Sequence, residues 1–401
     1  MPAIIDEGMV EAGGMRTGKI RMMRAMRNWA MVRGLLLTVG VMLTGCGGFF
    51  VPPDNSGGGG GGGGGGTTTA RVYVANGATG TVSGYSIGAA KLTEVPNSPV
   101  TLGFAPVAAV VSPNNAFLYI AGPASISVYA INSDGSLTAQ NNGVVISVAS
   151  IDISPDGKWL FGLDLIRNTV DQFQIDSSSG GLTPLTTVPY DSLTGNITPQ
   201  MLKVSPAGNL IFCALGNGGE RVFTFDPSSG TLAYANQAIQ LNASGTSDNA
   251  LAIDSTASYL YVARSGTNGG MAVYSIGAGG VLNSVAGSPF AAGNRPFSIV
   301  LDKTGKYLYV ANRTDSTISA YSIGTGSALT AVSGSPFGGG QQVISLGVDP
   351  GGTYLLAGAN GGGPDLAMYG FDATTPGKLN LTTSVATDTD PAGVVAIAVT
   401  H

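Results

Sequence analysis

Tyr307-Leu308-Tyr309-Val310-Ala311-Asn312 is the clearest copy of a motif that occurs seven times along this chain of 401 residues. An aromatic or apolar residue equivalent to Tyr309 recurs at intervals of 46, 42, 51, 49, 48 and 47 residues, at Tyr73, Tyr119, Phe161, Phe212, Tyr261, Tyr309 and Leu356. Repeats of about 40 to 50 residues are typical of propellers and solenoids. The spacing therefore indicates the fold class before any single residue is interpreted.

Turn residues mark each repeat in the same way. A Ser or Asp lies seven positions before the aromatic in six repeats, at Ser112, Ser154, Ser205, Asp254, Asp302 and Asp349. Its side-chain oxygen can cap backbone N–H groups in a tight turn, where Pro and Gly also favour the required dihedral angles. A second aromatic and then a Leu recur in all seven repeats, for example at Tyr321 and Leu329.

The segments between these positions are short and rich in Val, Ile, Tyr and Thr, as β-strands are. Four such segments make one propeller blade, and no segment has a helical period with caps. We therefore predict an all-β, seven-bladed β-propeller of four-stranded antiparallel blades over residues 70–401, with very little helix. The repeat that starts at Arg71 lacks an inner strand. We predict that residues 394–400 supply it and close the ring, because an open ring leaves unpaired strand edges.

Residues 1–45 have the features of a secretory signal peptide. Arg24, Arg27 and Arg33 precede an uncharged stretch at 34–43, which is too short for a permanent membrane span. Leu43-Thr44-Gly45-Cys46 then resembles the bacterial lipobox, in which the Cys is lipidated and becomes the new N-terminus. The alternative is an unprocessed apolar segment with a chance Cys. We favour the lipobox because charge order, length and spacing agree.

The sequence on either side of this signal predicts where the chain starts and how it is attached. Residues 1–21 fit no signal pattern, so translation could begin at Met22, Met23 or Met26. Residues 46–69 contain ten consecutive glycines at 57–66, which predict a flexible tether between the lipidated Cys46 and the propeller. Gly47 after the Cys resembles signals that sort lipoproteins to the outer membrane. We therefore expect an exported, outer-membrane lipoprotein.

Charge and cysteine content restrict the partners. After Cys46 there are 12 Lys plus Arg and 20 Asp plus Glu, a net charge of −8 without a basic cluster, which argues against nucleic acid. Once Cys46 is lipidated, Cys213 has no disulfide partner, and we predict that it is a small buried side chain. Asp152 and Asp388-Thr389-Asp390 lack the spacing of a calcium loop. We expect a monomer without cofactor or metal.

The repeats resemble the lactonase-type seven-bladed propeller family. The resemblance rests on Tyr-Leu-Tyr-Val-Ala-Asn at 307–312, Ser-Pro-Asp-Gly at 154–157 and Gly-Ser-Pro-Phe at 287–290 and 334–337, and it covers residues 71–401. This family includes 6-phosphogluconolactonases, carboxymuconate-cyclising enzymes and secreted YVTN-repeat proteins. The resemblance implies hydrolysis of a sugar lactone. It also implies a Pro-Arg-His element at an inner strand, where this chain has Asn294-Arg295-Pro296-Phe297-Ser298; its only His is His401.

Topology locates a candidate ligand site. In a propeller, the loops between second and third strands share one face with the loops that lead into each next blade. These loops bring together four of the six arginines of residues 70–401, accompanied by acidic residues: Arg167, Arg264, Arg295, Arg313, Asp164, Asp315 and Asp365. Guanidinium groups bind carboxylates bidentately, so this rim could bind a small anion or a sugar acid. The alternative is that these are solvated charges that pair loosely with one another.

Two functions remain open from the sequence. The first is a lipid-anchored, non-catalytic propeller that binds a protein, a glycan or a small anionic ligand. The second is a hydrolase of sugar lactones, as the family resemblance implies. We favour the binding module, because fold does not fix function and Ser298 stands where the family has His. In a lactonase without that His, an Asp or Glu would have to activate water, and only Glu94 and Glu220 follow Cys46 among glutamates.

Overall fold

The computed structural model describes residues 69–190, 197–241, 245–267 and 269–401. These residues form seven antiparallel sheets, which are the blades, and two short 3-10 turns at Ala278–Gly280 and Thr325–Ser327. The predicted signal peptide, Cys46 and the glycine run lie outside the described residues. Within the described ranges, no helix is both long and apolar enough to cross a bilayer. The predicted all-β, seven-bladed propeller is confirmed.

The first three blades contain the strands up to residue 189. In blade 1 these are β1 (Arg71–Asn76), β2 (Thr81–Gly88), β3 (Lys91–Glu94) and the short β4 (Val100–Thr101). In blade 2 they are β5 (Ala108–Val111), β6 (Phe117–Ala121), β7 (Ser125–Ile131) and β8 (Leu137–Val145). In blade 3 they are β9 (Val148–Ile153), β10 (Trp159–Asp164), β11 (Thr169–Ile175) and β12 (Leu182–Pro189).

The remaining blades follow the same order, from the inner to the outer strand. In blade 4 the strands are β13 (Met201–Val204), β14 (Leu210–Ala214), β15 (Glu220–Asp226) and β16 (Thr231–Ile239). In blade 5 they are β17 (Ser247–Ile253), β18 (Tyr259–Ser265), β19 (Gly270–Ile276) and β20 (Leu282–Ser284). In blade 6 they are β21 (Pro296–Leu301), β22 (Tyr307–Asn312), β23 (Thr317–Ile323), β24 (Leu329–Ala331) and the short β25 (Phe337–Gly338). In blade 7 they are β26 (Val343–Val348), β27 (Tyr354–Ala359), β28 (Leu366–Phe371) and β29 (Leu379–Val385).

The two ends of the propeller meet in blade 1. The last strand, β30 (Val394–Val399), pairs antiparallel with β1, and its register joins Val72 to Val399 and Val74 to Ile397. Blade 1 therefore has the order β3-β2-β1-β30, with its innermost strand supplied by the C-terminus. The predicted ring closure is confirmed.

The turn residues cap the strand that follows them. The Ser154 hydroxyl accepts a hydrogen bond from the Trp159 N–H at 3.0 Å, and the Asp302 carboxylate accepts one from the Tyr307 N–H at 2.8 Å. Ser112, Ser205, Asp254 and Asp349 accept the equivalent hydrogen bond from the residue five positions later. The Ser and Asp side chains are interchangeable here because both present an oxygen acceptor to the same backbone N–H.

The repeated tyrosine of the second strand joins each blade to the next one. The Tyr309 hydroxyl donates to the Gly377 carbonyl at 3.0 Å, in the turn between the third and fourth strands of blade 7. Tyr73 and Tyr119 make the equivalent bonds to Gly135 and Gly180, at 2.9 and 3.0 Å. All three tyrosines are fully buried. A buried phenol hydroxyl needs a hydrogen-bond partner, and in these three blades the turn carbonyl of the next blade is that partner.

Removal of the last eight residues, Val394–His401, should abolish the cooperatively folded domain. The deletion exposes the β1 edge and uncovers apolar side chains of blades 1 and 7, including Val74, Leu356 and Met368. Thermal unfolding followed by circular dichroism should show a broad, non-cooperative transition. The control is deletion of His401 alone, which leaves β30 intact. A sharp transition for the longer deletion at the temperature of the full chain would contradict ring closure as the source of stability.

Tyr309→Phe should lower the free energy of unfolding by about 1–3 kcal/mol, because the buried Gly377 carbonyl loses its hydrogen-bond partner. The matched control is Tyr307→Phe in the same strand, since the half-buried Tyr307 side chain makes no hydrogen bond within the described residues. Chemical denaturation of both variants measures the difference. Equal losses in the two variants would show that the bond between blades contributes nothing.

Candidate functional site

The loops expected to share one face lie side by side there. The Arg313 N–H, directly after the second strand of blade 6, donates to the Arg295 carbonyl before the first strand at 3.0 Å. In blade 3, the Leu165 N–H donates to the Ser147 carbonyl at 3.0 Å in the same manner. In these blades the start of the first strand and the end of the second strand therefore meet at one end of the blade. We call this end of the propeller the loop face.

A β-bulge interrupts the inner strand at the loop face in five blades. In blade 5, Asp248 pairs with Arg264 and Ala250 pairs with Ala263, so Asn249 is left out of the ladder. The equivalent unpaired residues in blades 1, 3, 6 and 7 are Val395, Ala149, Phe297 and Ile344. Bulges re-aim side chains and are common beside functional sites. Here the bulges determine which side chains lie at the start of the inner strands, next to the loop face.

Two arginines flank the bulged Phe297 of blade 6. The guanidinium carbons of Arg295 and Arg313 lie 5.8 and 5.4 Å from the centroid of its ring, within the range of a cation–π contact. Neither arginine has a carboxylate partner among the residues that the structure describes. Arg313 donates one bond of 3.4 Å to the Gln342 side chain of blade 7. The pair therefore retains several free donors for an anion.

Arg295 and Arg313 lie in an unfavourable environment, because their positive charges repel each other and the backbone of Arg295 and of the neighbouring Gln342 is strained. Burial and the nearby Arg295 charge lower the pKa of Arg313 below its usual value. Arg295 has φ of 54° and Gln342 has φ of 52°, in the left-handed region that costs an L-residue roughly 1–2 kcal/mol. Such strain persists where surrounding structure imposes it, and it is concentrated at functional sites. We refer to Arg295, Phe297, Arg313 and Gln342 as the arginine cradle.

Asn249 connects the arginine cradle to blade 5. Its side-chain amide donates to the Pro296 carbonyl at 2.8 Å, and its neighbour Asp248 forms a bidentate pair with Arg264, with distances of 2.6 and 2.9 Å. The Arg264 Nη2 also donates to the Tyr274 hydroxyl at 3.0 Å and lies 3.5 Å from the Glu220 Oε1. Blade 5 thus presents a buried ion network next to the cradle.

Glu220 is the unusual member of this network. It is fully buried, and its Oε2 has no hydrogen-bond partner within the described ranges. Burial, followed by the negative charge of Asp248, raises the pKa of Glu220 well above its usual value, and Arg264 opposes that shift only in part. Two carboxyls beside one guanidinium favour one retained proton. Carboxyls with a pKa perturbed in this way are concentrated at functional sites.

Arg167 forms a second ion network within blade 3. Its Nη2 lies 3.0 Å from the Asp164 carboxylate and 2.8 Å from that of Asp171. Burial acts to raise the pKa of Asp164, but hydrogen bonds from the Arg167 and Ile166 N–H groups outweigh it and lower the pKa. Burial raises the pKa of Asp171 to about 6.

The other predicted site residues have structural partners. Asp315 accepts hydrogen bonds from the backbone and side chain of Asn294, at 2.7 and 2.8 Å. The fully buried Asp365 accepts the N–H groups of Thr387 and Ala392, both at 3.0 Å. Cys213 is buried as predicted, and burial raises the pKa of its thiol.

The predicted rim is therefore divided into separate clusters. The structure brings Arg295 and Arg313 together, whereas Arg167 and Arg264 each bind their own carboxylates. The prediction of a loop position for Arg264 was wrong: it lies in β18 with a side chain only 12% exposed. Loose pairing of solvated charges is thus the wrong description of Arg264 and Asp248. Sequence reasoning missed Asp248, Asn249 and Phe297, whose only local signal is their place before an inner strand.

The Ser298 hydroxyl is engaged in holding blades together. It accepts a hydrogen bond from the Leu346 N–H of blade 7 at 3.1 Å. Ser150 and Ser345 accept the equivalent bonds from Leu202 and Ile397, both at 3.1 Å. Asp152 likewise accepts the Val204 N–H, at 2.9 Å. No group of three or more His, Cys, Asp or Glu within the described part of the chain could hold a metal ion.

Comparisons with known proteins agree with this architecture. Residues 117–244 match the family model of the SMP-30/gluconolactonase/LRE-like region, and residues 295–395 match the model of the lactonase, 7-bladed beta-propeller family. A comparison with curated proteins found no match.

Solved structures extend the likeness over the whole propeller. A putative 6-phosphogluconolactonase from Bacteroides uniformis is 18% identical, with a TM-score of 0.70 over 83% of this chain and 100% of the other. The periplasmic gluconolactonase of Pseudomonas aeruginosa is 16% identical, with a TM-score of 0.67 over 83% and 99%. At identities this low, the structural likeness establishes a shared fold alone. The two family models match separate parts of the propeller and show what those parts of this chain resemble.

Proposed function

We propose that this chain hydrolyses a sugar lactone, with the ligand bound at the arginine cradle. The observation that carries the proposal is the pair Arg295 and Arg313, which flank one aromatic ring without a carboxylate partner among the described residues. The matches to lactonase and gluconolactonase family models support this reaction class over other uses of the fold.

The cradle suits the charge that develops during lactone hydrolysis. Water attacks the carbonyl carbon, the carbonyl oxygen becomes an oxyanion, and the ring C–O bond then breaks to give a hydroxy acid. Guanidinium donors held in place stabilise the oxyanion and the product carboxylate, and one such donor contributes about 10²–10³ in rate. The half-buried Phe297 supplies an apolar surface for the sugar ring.

Glu220 is the carboxyl that we assign to proton transfer. Its raised pKa makes it a stronger base than an ordinary exposed Asp. Because Glu220 is fully buried, a relaying water would have to carry the proton from the attacking water to Glu220 and back to the leaving alkoxide. The unpartnered Oε2 leaves one oxygen free for this role. Asp248, which raises the Glu220 pKa, also fixes Arg264 from the bulged strand next to the cradle.

Arg313→Ala should reduce kcat/KM for glucono-δ-lactone by about 10²–10³, because one oxyanion donor is lost. Arg295→Ala should behave similarly. The matched control is Lys306→Ala, an exposed cation in the turn at the opposite end of the same blade. Release of acid measured by a pH indicator, corrected for spontaneous hydrolysis, gives the rates. Equal activity of the arginine variants and the control would remove the cradle from the reaction.

The same assay tests Glu220. Because its folded pKa is raised, the fraction of carboxylate grows as pH rises, so the rate should increase with pH and then level off. Glu220→Gln should remove this limb and lower the maximal rate. If Glu220 has only a structural role, Glu220→Gln should instead lower the melting temperature and leave the pH profile of the rate unchanged.

A non-catalytic binding module is the second candidate. It is favoured by Ser298, which stands where the family has His and whose hydroxyl is bound to blade 7. In that case the arginine cradle would bind gluconate, a protein carboxylate or an acidic glycan without turnover. Calorimetric binding of gluconate that is lost in Arg313→Ala, with no hydrolysis of any lactone tested, would select this function.

We also propose that the chain is exported and anchored through lipidated Cys46, and that it acts there as a monomer. Support comes from the lipobox sequence and, by analogy of fold, from the periplasmic gluconolactonase. Wild-type protein expressed in a Gram-negative host should incorporate labelled palmitate and sediment with outer membranes. Cys46→Ser should lose both properties. Unlabelled wild-type protein in the soluble fraction would contradict the anchor, and size-exclusion chromatography with light scattering tests the monomer.

A further inference from the structure

A cavity of about 240 Å³ lies between blades 2 and 3, away from the arginine cradle of blade 6. One wall is formed by the end of β8 and the residues that follow it, including Val144 and Val145, and the other by residues 184–187 of β12. Arg167 and Asp171 also line the cavity, so the second ion network faces it. The cavity is smaller than the roughly 300–1,000 Å³ of drug-sized ligand sites. It fits a small molecule.

The rim of this cavity is apolar and exposed. Val145 and Leu185 line the cavity and are 91% and 51% exposed, and Leu165 and Ile166, next to Arg167, are 44% and 76% exposed. Within the described ranges, these are four of the seven large apolar side chains that are exposed. Single exposed apolar residues are ordinary, but a group around a cavity marks a binding surface.

The charge inside the cavity has a definite sign. Asp164 and Asp171 are almost fully buried, and both bind the one guanidinium of Arg167, whose side chain is 53% exposed. The remaining lining residues are Val, Ile, Gln, Phe, Pro, Leu and Thr, which carry no charge. With both carboxylates ionised, the network has a net charge of −1 in a poorly solvated place. A buried negative charge that lacks full compensation favours a cation.

We propose that this cavity binds an alkylammonium ion, a primary amine with a short apolar chain. The ammonium would donate to the Asp171 carboxylate, which already accepts the Thr169 hydroxyl at 2.9 Å and Arg167 at 2.8 Å and has further lone pairs free. The alkyl chain would lie between Val145 and Leu185. An ammonium is a compact charge with three donors, so it needs less room beside Asp171 and Arg167 than a planar guanidinium does. The site is independent of lactone hydrolysis.

The experiment is isothermal titration of the full chain with hexylammonium chloride, with sodium hexanoate and hexanol as probes of charge and chain. Hexylammonium should bind and the other two should not. Asp171→Asn should weaken binding at least about tenfold, as expected for loss of a charged hydrogen bond. The matched control is Asp156→Asn, an exposed carboxylate in the same blade, which should bind as the wild type does.

Two further measurements protect the test against misfolding of Asp171→Asn. Leu185→Ala, at an exposed position, should weaken hexylammonium binding without changing that of methylammonium. Wild-type affinity should fall as pH drops through about 6, since protonation of Asp171 removes the net charge of −1. Asp164 and Arg167, the other charged groups that face Asp171 among the described residues, already offset each other. Equal binding of hexanol and hexylammonium, equal affinities of the two Asp variants, or no binding at millimolar concentration would overturn the proposal.

Discussion

The structure depends on one constraint: each blade is apolar on both faces and must be covered on both sides. The second strands of blades 2 and 4 are buried along their whole length, and core clusters are formed by residues of neighbouring blades. A row of such sheets has two uncovered faces, whereas a closed ring has none. The pairing of β30 with β1 therefore stabilises every interface and not only its own. Hydrogen bonds from Tyr73, Tyr119 and Tyr309 then join three of the blades to the next one.

Most of the fold could be predicted because repeated residues have repeated physical tasks. Asp302 was expected to cap a turn, and its carboxylate accepts hydrogen bonds from the N–H groups of Thr304, Lys306 and Tyr307. Tyr309 was expected to be buried, and its hydroxyl donates to the Gly377 carbonyl. The ring closure could be predicted because the first repeat lacks its inner strand and the C-terminus carries one strand more than the last repeat needs. Local chemistry and ring geometry gave the same answer, which is the condition for reliable prediction.

The polar sites could not be predicted to the same depth, because their partners are chosen between blades. The position three residues after the repeated aromatic is Asn76, Asp164, Arg264 and Asn312 in blades 1, 3, 5 and 6. Asn76 and Asn312 bind hydroxyls of the adjacent strand in their own blade, whereas Arg264 pairs with Asp248 and reaches Glu220 of blade 4. Glu220 and Arg264 are 44 residues apart, so no local spacing relates them. One scaffold position thus supports either a neutral network or a charged one.

The arginine cradle differs from these networks because no carboxylate among the residues that the structure describes pairs with its two guanidinium groups. Arg264 and Arg167 lie against carboxylates, but Arg313 loses hydration, faces a second arginine and receives only a long bond from Gln342. Arg295 adds a left-handed backbone that any glycine would adopt at lower cost. Elsewhere in the propeller, turn N–H groups and buried tyrosine hydroxyls have hydrogen-bond partners. Replacing Arg295 or Arg313 with a neutral residue would remove the repulsion between the two guanidinium groups. Under the proposed function, an anion bound between the two guanidinium groups would supply the missing charge.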